Sequence, residues 1–264
     1  MALTPMALLD RALALAGAEG LHRRPPLIGL AGSQGSGKST LAKAWAEARG
    51  GVAAFSLDDV YLGASARQRL AAEVHPLLRI RGVPGTHDLA LLDATLAALA
   101  AAGEDDRTPL PAFDKLADDR LPRERWPVFA GRPEIVLIEG WCLGATPQEA
   151  TALAEPINPL EREQDAEGGW RRWVNDQLAG PYATLFARFD AIALLRAPGF
   201  ETVVGWRCEQ QATLLGRALG EAERAEIAGF VACFERITRH MLAGGVRADV
   251  VADLGADRSV VQRR

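Results

Sequence analysis

The stretch Gly32-Ser33-Gln34-Gly35-Ser36-Gly37-Lys38-Ser39 determines how the rest of this chain is interpreted. It fits the pattern GxxxxGK[ST] and lies between an apolar run at residues 27–31 and a segment at 38–49 with apolar residues at helical spacing. Glycines in such a loop let backbone amides surround phosphate groups, and the following helix adds positive potential at its start. The sequence therefore predicts a strand, a phosphate-binding loop and a helix.

This loop supplies most of the predicted nucleotide-binding residues. They are Gly32, Ser33, Gln34, Gly35, Ser36, Gly37, Lys38, Ser39 and Thr40. We expect Lys38 to reach the β and γ phosphates and Ser39 to bind magnesium. The alternative is a glycine-rich turn that fits the pattern by chance, but the flanking strand and helix favour the nucleotide site.

Apolar runs and helical periodicities alternate along the rest of the chain. Strands are predicted at 52–57, 135–138, 191–195 and 249–254, and helices at 88–102, 170–189 with a break near Gly180-Pro181, 200–219 and 221–242. This alternation predicts an α/β fold of the P-loop NTPase type, with three layers, a mainly parallel, doubly wound sheet and helices on both faces. We expect a single domain over residues 1–264, with a substrate-facing insertion at about 104–133 and an irregular insertion at about 145–180.

Composition narrows the class of protein and its partners. With 48% hydrophobic and 24% charged residues the chain has the composition of a soluble globular protein. A net charge of −4 argues against nucleic acid as a partner. Residues 1–15 are predicted to form a helix rather than a leader, and no stretch is apolar enough to cross a membrane. These features predict a cytoplasmic protein without a membrane partner, either a monomer or a homodimer.

Cysteine spacing argues against two further classes of site. Cys142, Cys208 and Cys233 are far apart in the sequence and form no CxxC pair. This pattern favours neither a disulfide framework nor a zinc centre. Buried free thiols are expected.

Carboxylates follow two of the predicted strands. Asp58 and Asp59 come after the run at 52–57, and Glu139 follows the run at 135–138. A carboxylate at position 58 can accept the proton of a substrate hydroxyl, and Glu139 stands where an acid can hold magnesium through water. The alternatives are that Asp58 or Asp59 caps a turn, and that Glu139 is a solvent-facing strand end.

Several segments resemble the glycerate kinase-like family of P-loop kinases, and more distantly uridine, pantothenate and phosphoribulose kinases. Besides the phosphate loop, the segments are Ser56-Leu57-Asp58-Asp59-Val60-Tyr61, Arg81-Gly82-Val83-Pro84-Gly85-Thr86-His87-Asp88, Pro111-Ala112-Phe113-Asp114-Lys115 and Glu139-Gly140-Trp141-Cys142-Leu143-Gly144. The resemblance spans most of the chain. It implies ATP and Mg²⁺ as cofactors and a small-molecule acceptor as the substrate.

The resemblance also implies roles for individual residues. The catalytic residues would be Lys38, Asp58, Glu139 and Arg207, with Asp58 as the base, Arg207 on a lid over the phosphates, and Ser39 and Glu139 at the metal. The acceptor would be bound by Asp58, Tyr61, Arg81, His87, Asp88 and Lys115. Cations at Arg81, His87, Lys115 and Arg120 suit an anionic acceptor. The alternatives are ordinary ones: solvated charges at Arg81, Lys115, Arg120 and Arg207, a helix-start residue at His87, and an N-cap at Asp88.

These observations predict phosphoryl transfer from MgATP to a hydroxyl of a small organic acid, D-glycerate above all. One alternative is a kinase of another acceptor, such as a nucleoside or pantothenate. A second is a switch or assembly ATPase without a small acceptor, and a third is a nucleotide-binding protein that has lost catalysis. The carboxylate at Asp58 and the segment from 81 to 115 favour the kinase.

Overall fold

A parallel sheet forms the centre of the protein in the computed structural model, which describes residues 4–18 and 24–261. The strands, in chain order, are β1 (Leu27–Gly32), β2 (Val52–Ser56), β3 (Arg107–Pro109), β4 (Phe113–Asp114), β5 (Asp119–Arg120), β6 (Val128–Ala130), β7 (Ile135–Gly140), β8 (Ala191–Arg196) and β9 (Val250–Asp253). Five of them pair in parallel in the order β2-β7-β1-β8-β9. Neighbouring parallel strands need crossover connections, which helices supply. The predicted doubly wound parallel sheet is confirmed.

Helices provide the outer layers. The α-helices, in chain order, are α1 (Pro5–Ala18), α2 (Lys38–Arg49), α3 (Ala64–Glu73), α4 (Leu89–Ala101), α5 (Pro159–Gln164), α6 (Gly169–Gln177), α7 (Ala183–Phe186), α8 (Phe200–Leu215) and α9 (Glu221–Leu242). Short 3₁₀ turns lie at Leu57–Val60, Pro76–Arg79, Arg123–Arg125 and Ala150–Leu153. The predicted helices α2 and α9 have the predicted bounds at both ends.

Both faces of the sheet are buried. In β7, Val136 and Ile138 belong to the core formed with α4, α6 and most of α9, whereas Ile135 and Leu137 belong to the core formed with α1, α2 and α8. Every residue of β7 is buried. A strand covered on both faces needs apolar residues at consecutive positions, which explains the run at 135–138. The predicted three-layer arrangement is confirmed.

The bounds of two helices differ from those predicted. α8 stops at Leu215 instead of 219, because Gly216 takes a φ of 65° and closes the helix with a left-handed residue. α4 begins one residue later than predicted, because Asp88 is its N-cap and accepts the Leu91 N–H at 3.0 Å. The N-cap interpretation of Asp88 is confirmed.

The helical stretch before β8 is not interrupted where a break was predicted. A π-helical turn at Leu178–Tyr182 contains Pro181 and connects α6 to α7. An α-helix would bring the proline ring against the carbonyl group four residues earlier, and the wider π turn relieves that clash. The change of helix type replaces the predicted break.

The insertion at 104–133 has the predicted loops and short strands. β3 pairs with β6 and β4 pairs with β5, both antiparallel. The β4–β5 hairpin carries Lys115 at its tip. That the insertion faces the substrate stays a prediction at this point.

The terminal helix and the cysteines agree with the sequence. α1 covers the predicted N-terminal helix from Pro5 onwards, and residues 1–3 lie outside the described residues. The three cysteines are unpaired and buried. Among the residues that the structure describes, no helix has the length and apolar character of a membrane span. The predicted location in the cytoplasm and the predicted oligomeric states stay predictions.

The polar segment at 145–170 lies within the insertion predicted at about 145–180 to be irregular, but it contains α5 and a 3₁₀ turn and directs several of its charges inward. The Arg236 guanidinium of α9 binds both carboxylate oxygens of Glu161 at 2.7 and 2.6 Å. It also donates to the carbonyl oxygens of Ala152 and Glu155. A second arginine, Arg171, binds the Asp165 carboxylate at 3.0 Å, and both side chains are 1% exposed. These buried charges attach the segment to α9 and α6.

Arg236→Ala is expected to lower the free energy of unfolding by about 3–5 kcal/mol, because it leaves the Glu161 carboxylate buried without its partner. The matched control is Arg217→Ala, which removes an exposed arginine paired with Glu223 and should change stability little. Urea unfolding of the two variants and the wild type measures both effects. Equal losses in the two variants would contradict the structural role of Arg236.

Candidate active site

The carboxyl ends of β2, β7 and β1 lie side by side. Ala31 of β1 pairs with Gly140 of β7, and Ser56 of β2 pairs with Glu139. The phosphate loop follows β1, while Asp58 lies just beyond β2. In open parallel sheets this edge is where ligands bind. The predicted phosphate loop, Asp58 and Glu139 are therefore brought together.

The loop at residues 32–39 has the backbone of an anion cradle. Gly35 and Gly37 have φ values of 75° and 88°, a region that favours glycine. α2 begins at Lys38, so its first amides and the positive end of its dipole adjoin the loop. Thr40 is exposed in the first turn of α2. Successive amides in such a loop form a concave anion site.

Three polar side chains inside the loop have no hydrogen-bond partner among the residues that the structure describes. The buried oxygens without a hydrogen bond are Ser33 Oγ, Gln34 Oε1 and Ser36 Oγ. Buried polar atoms are nearly always bonded, and three exceptions in one loop are unusual. These three oxygens are therefore available to bind a polar ligand.

Ser39 and Glu139 form the other side of this cradle. Ser39 Oγ donates to Glu139 Oε1 at 2.7 Å, and Lys38 Nζ lies 3.9 Å from Glu139 Oε2. Glu139 Oε2 is buried and accepts no hydrogen bond. Within the described residues no group of three or more His, Cys, Asp or Glu side chains forms a metal cage. Mg²⁺ in nucleotide sites takes few protein ligands besides phosphates and water, so one hydroxyl and one free carboxylate oxygen fit it.

Asp58 is bound by a cation and a phenol. Its Oδ2 accepts from Lys115 Nζ at 2.7 Å, and its Oδ1 accepts from the Tyr61 hydroxyl at 2.7 Å. Burial by itself would raise the pKa of Asp58, but the charges of Lys115 and Lys38 and the two hydrogen bonds outweigh it and lower the pKa to about 2. Asp58 is an ionised carboxylate.

Asp59 has the local role that the sequence left open. Its Oδ2 accepts the Ser56 N–H at 3.0 Å, and the Ser56 hydroxyl accepts the Asp58 N–H at 3.1 Å. This capping box closes the turn after β2. Burial, reinforced by the neighbouring charge of Asp58, raises the pKa of Asp59 to about 6. The capping interpretation is confirmed for Asp59.

Aromatic rings line the site next to Asp58. The Tyr61 and His87 rings stack with centroids 4.7 Å apart, and Phe113 packs edge-on against Tyr61. His87 Nδ1 lies 2.6 Å from the Tyr182 hydroxyl, while His87 Nε2 is buried and has no hydrogen-bond partner within residues 4–18 and 24–261. Burial lowers the pKa of His87 to about 4, although the Asp58 charge opposes this. His87 is a neutral side chain with one unused nitrogen.

Arg81 is held by the β4–β5 hairpin. Its guanidinium pairs with the Asp118 carboxylate and donates to the Lys115 carbonyl oxygen at 3.3 Å. Arg67 of α3, which is 1% exposed, binds the same carboxylate at 2.8 Å. Both guanidinium groups lie over the Phe113 ring, at 5.8 Å for Arg67 and 5.6 Å for Arg81. Arg81 is therefore not the solvated charge that was its alternative.

Asp88 and Arg120 bind each other. The Asp88 Oδ2 accepts from Arg120 at 2.9 Å, and the same guanidinium nitrogen donates to the Tyr61 carbonyl oxygen at 3.0 Å. The other carboxylate oxygen of Asp88, Oδ1, accepts the Leu91 N–H, so both oxygens have a partner. A direct contact of Asp88 with the acceptor stays a prediction.

Arg207 lies on α8, whose neighbouring Trp206 meets the phosphate loop at Gly35. Its guanidinium donates to Gln210 at 3.3 Å. Burial lowers the pKa of Arg207, and the charge of Arg81 adds to this effect. The side chain is partly buried and feels the charge of Arg81, so Arg207 is not simply an exposed helical arginine.

Sequence reasoning missed Arg67, Asp118 and Tyr182. None belongs to a motif, and no pattern in the sequence places Arg67 or Tyr182 near Asp58. The sequence signal is that Asp118 closely follows Lys115 within the insertion predicted at about 104–133. The pairing of the β4–β5 hairpin with α3 depends on the tertiary fold.

Comparison with known proteins identifies relatives. No protein-family model matches the chain. The kinase mug58 of Schizosaccharomyces pombe, described as uncharacterized, is 33% identical over 219 residues, which cover 79% of this chain and 78% of the relative. The chloroplastic D-glycerate 3-kinase of Arabidopsis thaliana is 31% identical over 210 residues, 75% of this chain and 43% of that protein.

A solved structure has the same fold. D-glycerate 3-kinase from Cryptococcus neoformans superposes with a TM-score of 0.74 at 23% identity, covering 97% of this chain and 96% of that one. This superposition independently confirms the fold class predicted from the sequence. Given the extent of the sequence match to the fission yeast kinase, the chain belongs to the glycerate kinase-like family of P-loop kinases and is a phosphotransferase that acts on a small molecule.

Proposed function

We propose that this kinase transfers the γ-phosphoryl group of ATP to a hydroxyl of a small organic acid, with D-glycerate as the foremost acceptor. The observation that carries the proposal is the ionised Asp58 carboxylate, bound to Lys115 at the sheet edge that also bears the phosphate loop. A base beside a cation suits an acceptor that has both a hydroxyl and a carboxylate. The name of the Arabidopsis relative supports D-glycerate.

Lys38, Ser39 and Glu139 are proposed to organise the nucleotide. Lys38 would bind the β and γ phosphates, and the unpartnered loop oxygens would meet the phosphate-bound water or the nucleotide itself. Ser39 Oγ and Glu139 would hold Mg²⁺, Glu139 through water. The bound metal would neutralise charge on the β and γ phosphate oxygens.

Asp58 is proposed to accept the proton of the acceptor hydroxyl as that oxygen approaches phosphorus. With a pKa of about 2 it is a weak base while Lys115 is bound to it. An acceptor carboxylate that takes over the Lys115 ammonium removes part of the stabilisation of the ionised form, so the pKa of Asp58 rises. Binding of an anionic acceptor would thereby increase the basicity of Asp58 where the reaction needs it.

His87 and Lys115 are proposed as the main ligands of the acceptor. Gly85 N–H donates to the Tyr182 hydroxyl at 2.9 Å, which leaves that hydroxyl free to donate to His87 Nδ1. We assign the proton of His87 to Nε2 for this reason. The unpartnered Nε2–H can then donate to an acceptor oxygen. Tyr61 would orient Asp58, Arg81 would hold the hairpin that bears Lys115, and Arg207 would approach the phosphates as α8 closes.

The acceptor is tested by ADP release from purified protein with MgATP and D-glycerate, L-glycerate, uridine, cytidine, pantothenate or no acceptor. Turnover is expected with D-glycerate alone. Selective turnover with another compound would retain the kinase and replace the substrate. ATP hydrolysis that needs no acceptor would contradict the proposal and favour a switch ATPase.

Lys38→Ala and Asp58→Asn are both expected to reduce phosphoryl transfer by at least about a hundredfold, consistent with the loss of a phosphate ligand or a general base. Only Lys38→Ala should weaken ATP binding, because Asp58 contacts the acceptor and not the nucleotide. Lys43→Ala, an exposed lysine on the same helix, is the control. Calorimetric titration with ATP separates the two variants, and equal losses of ATP affinity would count against Asp58 as the base.

The pKa shifts of Asp58 and Asp59 predict opposite dependences of stability on pH. The pKa of Asp59 rises from 3.8 to about 6 on folding, so its contribution is present below about pH 4 and is lost as the pH rises to 6. The pKa of Asp58 falls from 3.8 to about 2, so its contribution is present above about pH 4 and is lost as the pH falls.

Urea unfolding at a series of pH values measures these two contributions. Asp59→Asn should remove a decline in stability between about pH 4 and 6, and Asp58→Asn should remove a decline below about pH 4. Each variant serves as the control of the other. Parallel pH profiles for wild type and both variants would show that the two carboxyl groups are not shifted as described.

A further inference from the structure

A turn near the end of the chain lies against the phosphate loop. Leu254 and Val260 form an antiparallel bridge, and Gly255 N–H donates to the Ser259 carbonyl oxygen at 2.8 Å. Arg258 N–H donates to the Gly255 carbonyl oxygen at 2.9 Å, and Asp257 Oδ1 accepts from the Ser259 amide and hydroxyl. We call residues 255–259 the C-terminal turn. Its internal bonds fix the backbone of Arg258, which takes a φ of 66°.

The Arg258 side chain joins three parts of the structure. Its Nε donates to the Gly35 carbonyl oxygen at 2.7 Å, and Nη2 binds Glu209 of α8 at 2.7 Å. The guanidinium carbon lies 5.1 Å from the centre of the Trp206 ring. The Gly35 carbonyl oxygen, the Glu209 carboxylate and the face of the Trp206 ring together fix the orientation of the guanidinium group.

Trp206 completes the contact. Its indole N–H donates to the Ala256 carbonyl oxygen at 2.7 Å, and the residue is 1% exposed. A Cβ on Gly35 would lie 2.5 Å from the Trp206 Cβ. The phosphate loop, α8 and the C-terminal turn are therefore in direct contact at Gly35, and only glycine fits there.

The bond from Arg258 fixes one peptide group of the phosphate loop. In the peptide that joins Gly35 to Ser36, the Gly35 carbonyl oxygen accepts from Arg258. The Ser36 N–H of the same peptide donates to the Ser33 carbonyl oxygen at 3.2 Å. Gly35 has no Cβ and therefore offers little steric resistance to the change of ψ that would rotate this peptide. A rotated peptide would turn a carbonyl oxygen towards the phosphates, where it would repel their negative charge.

We infer that Arg258 is a positioning residue for nucleotide binding, which holds the Gly35 carbonyl oxygen so that the phosphate loop keeps its anion-binding conformation. The ligand class is a nucleoside triphosphate or diphosphate. The residue acts through the loop and its bond to Glu209 couples the loop to α8, the helix that bears Arg207. This inference concerns the nucleotide and does not depend on the identity of the acceptor.

Arg258→Ala is expected to weaken binding of ATP and of ADP by about tenfold, the usual effect of losing one charge-assisted hydrogen bond. Arg258→Lys should recover part of the affinity, because an ammonium group can donate to the Gly35 oxygen. Arg217→Ala removes another arginine bonded to a glutamate in the α8–α9 region and should leave nucleotide affinity unchanged. Calorimetric titration of the full chain with ATP and ADP measures these affinities without an acceptor.

Steady-state kinetics adds a second readout. In Arg258→Ala the KM for ATP should rise, while the KM for the acceptor and kcat at saturating ATP should stay within about twofold of wild type. Unchanged ATP and ADP affinity in both Arg258 variants, together with a lower thermal midpoint, would overturn the inference and reduce Arg258 to a packing contact. Should Arg258→Ala not fold, Arg258→Lys and Arg258→Gln decide. Weaker ATP binding by the uncharged Arg258→Gln than by Arg258→Lys would support the inference, and wild-type ATP affinity in both variants would overturn it.

Discussion

The parallel register of β7 between β1 and β2 is the constraint on which the candidate site depends. It places Glu139 beside Ser56 and brings the end of β1 next to Gly140. The phosphate loop, Asp58 and Glu139 are separated by many residues in the chain, yet each follows or ends a strand at the same edge. A slip of one residue in β7 would turn Glu139 to the other face of the sheet and remove its bond to Ser39.

Electrostatics then differentiates two adjacent carboxyl groups. Asp58 meets Lys115 and a phenol, and its pKa falls, whereas Asp59 turns into the capping box beside a negative charge, and its pKa rises. The two side chains differ in partners although they are neighbours in sequence. The β4–β5 hairpin supplies the cation, and the Arg67–Asp118–Arg81 cluster holds that hairpin in place. The charge of the proposed base is thus controlled by a segment remote from β2.

Two parts of the chain that carry no motif stabilise the elements around the site. The segment at 145–170 is attached to α9 by the buried pair of Arg236 and Glu161. The C-terminal turn is attached to the phosphate loop and α8 by Arg258. Arg236 binds two backbone carbonyl oxygens and a carboxylate, and Arg258 binds one carbonyl oxygen and a carboxylate, because the planar guanidinium group has five donors in fixed directions.

Local features of the sequence are enough to predict the fold class, the phosphate loop and the bounds of α2 and α9, because these depend on periodicity, glycine positions and caps. The sequence also predicted the chemistry of Asp58 and Glu139 from their places after strands. The bond of Lys115 to Asp58, the pairing of Asp118 with two arginines and the bond of Arg258 to Gly35 depend instead on how the chain packs. Those contacts join residues up to 223 positions apart. Side chains so far apart in the chain meet only when the packed core fixes their directions, and no local pattern in the sequence encodes that arrangement.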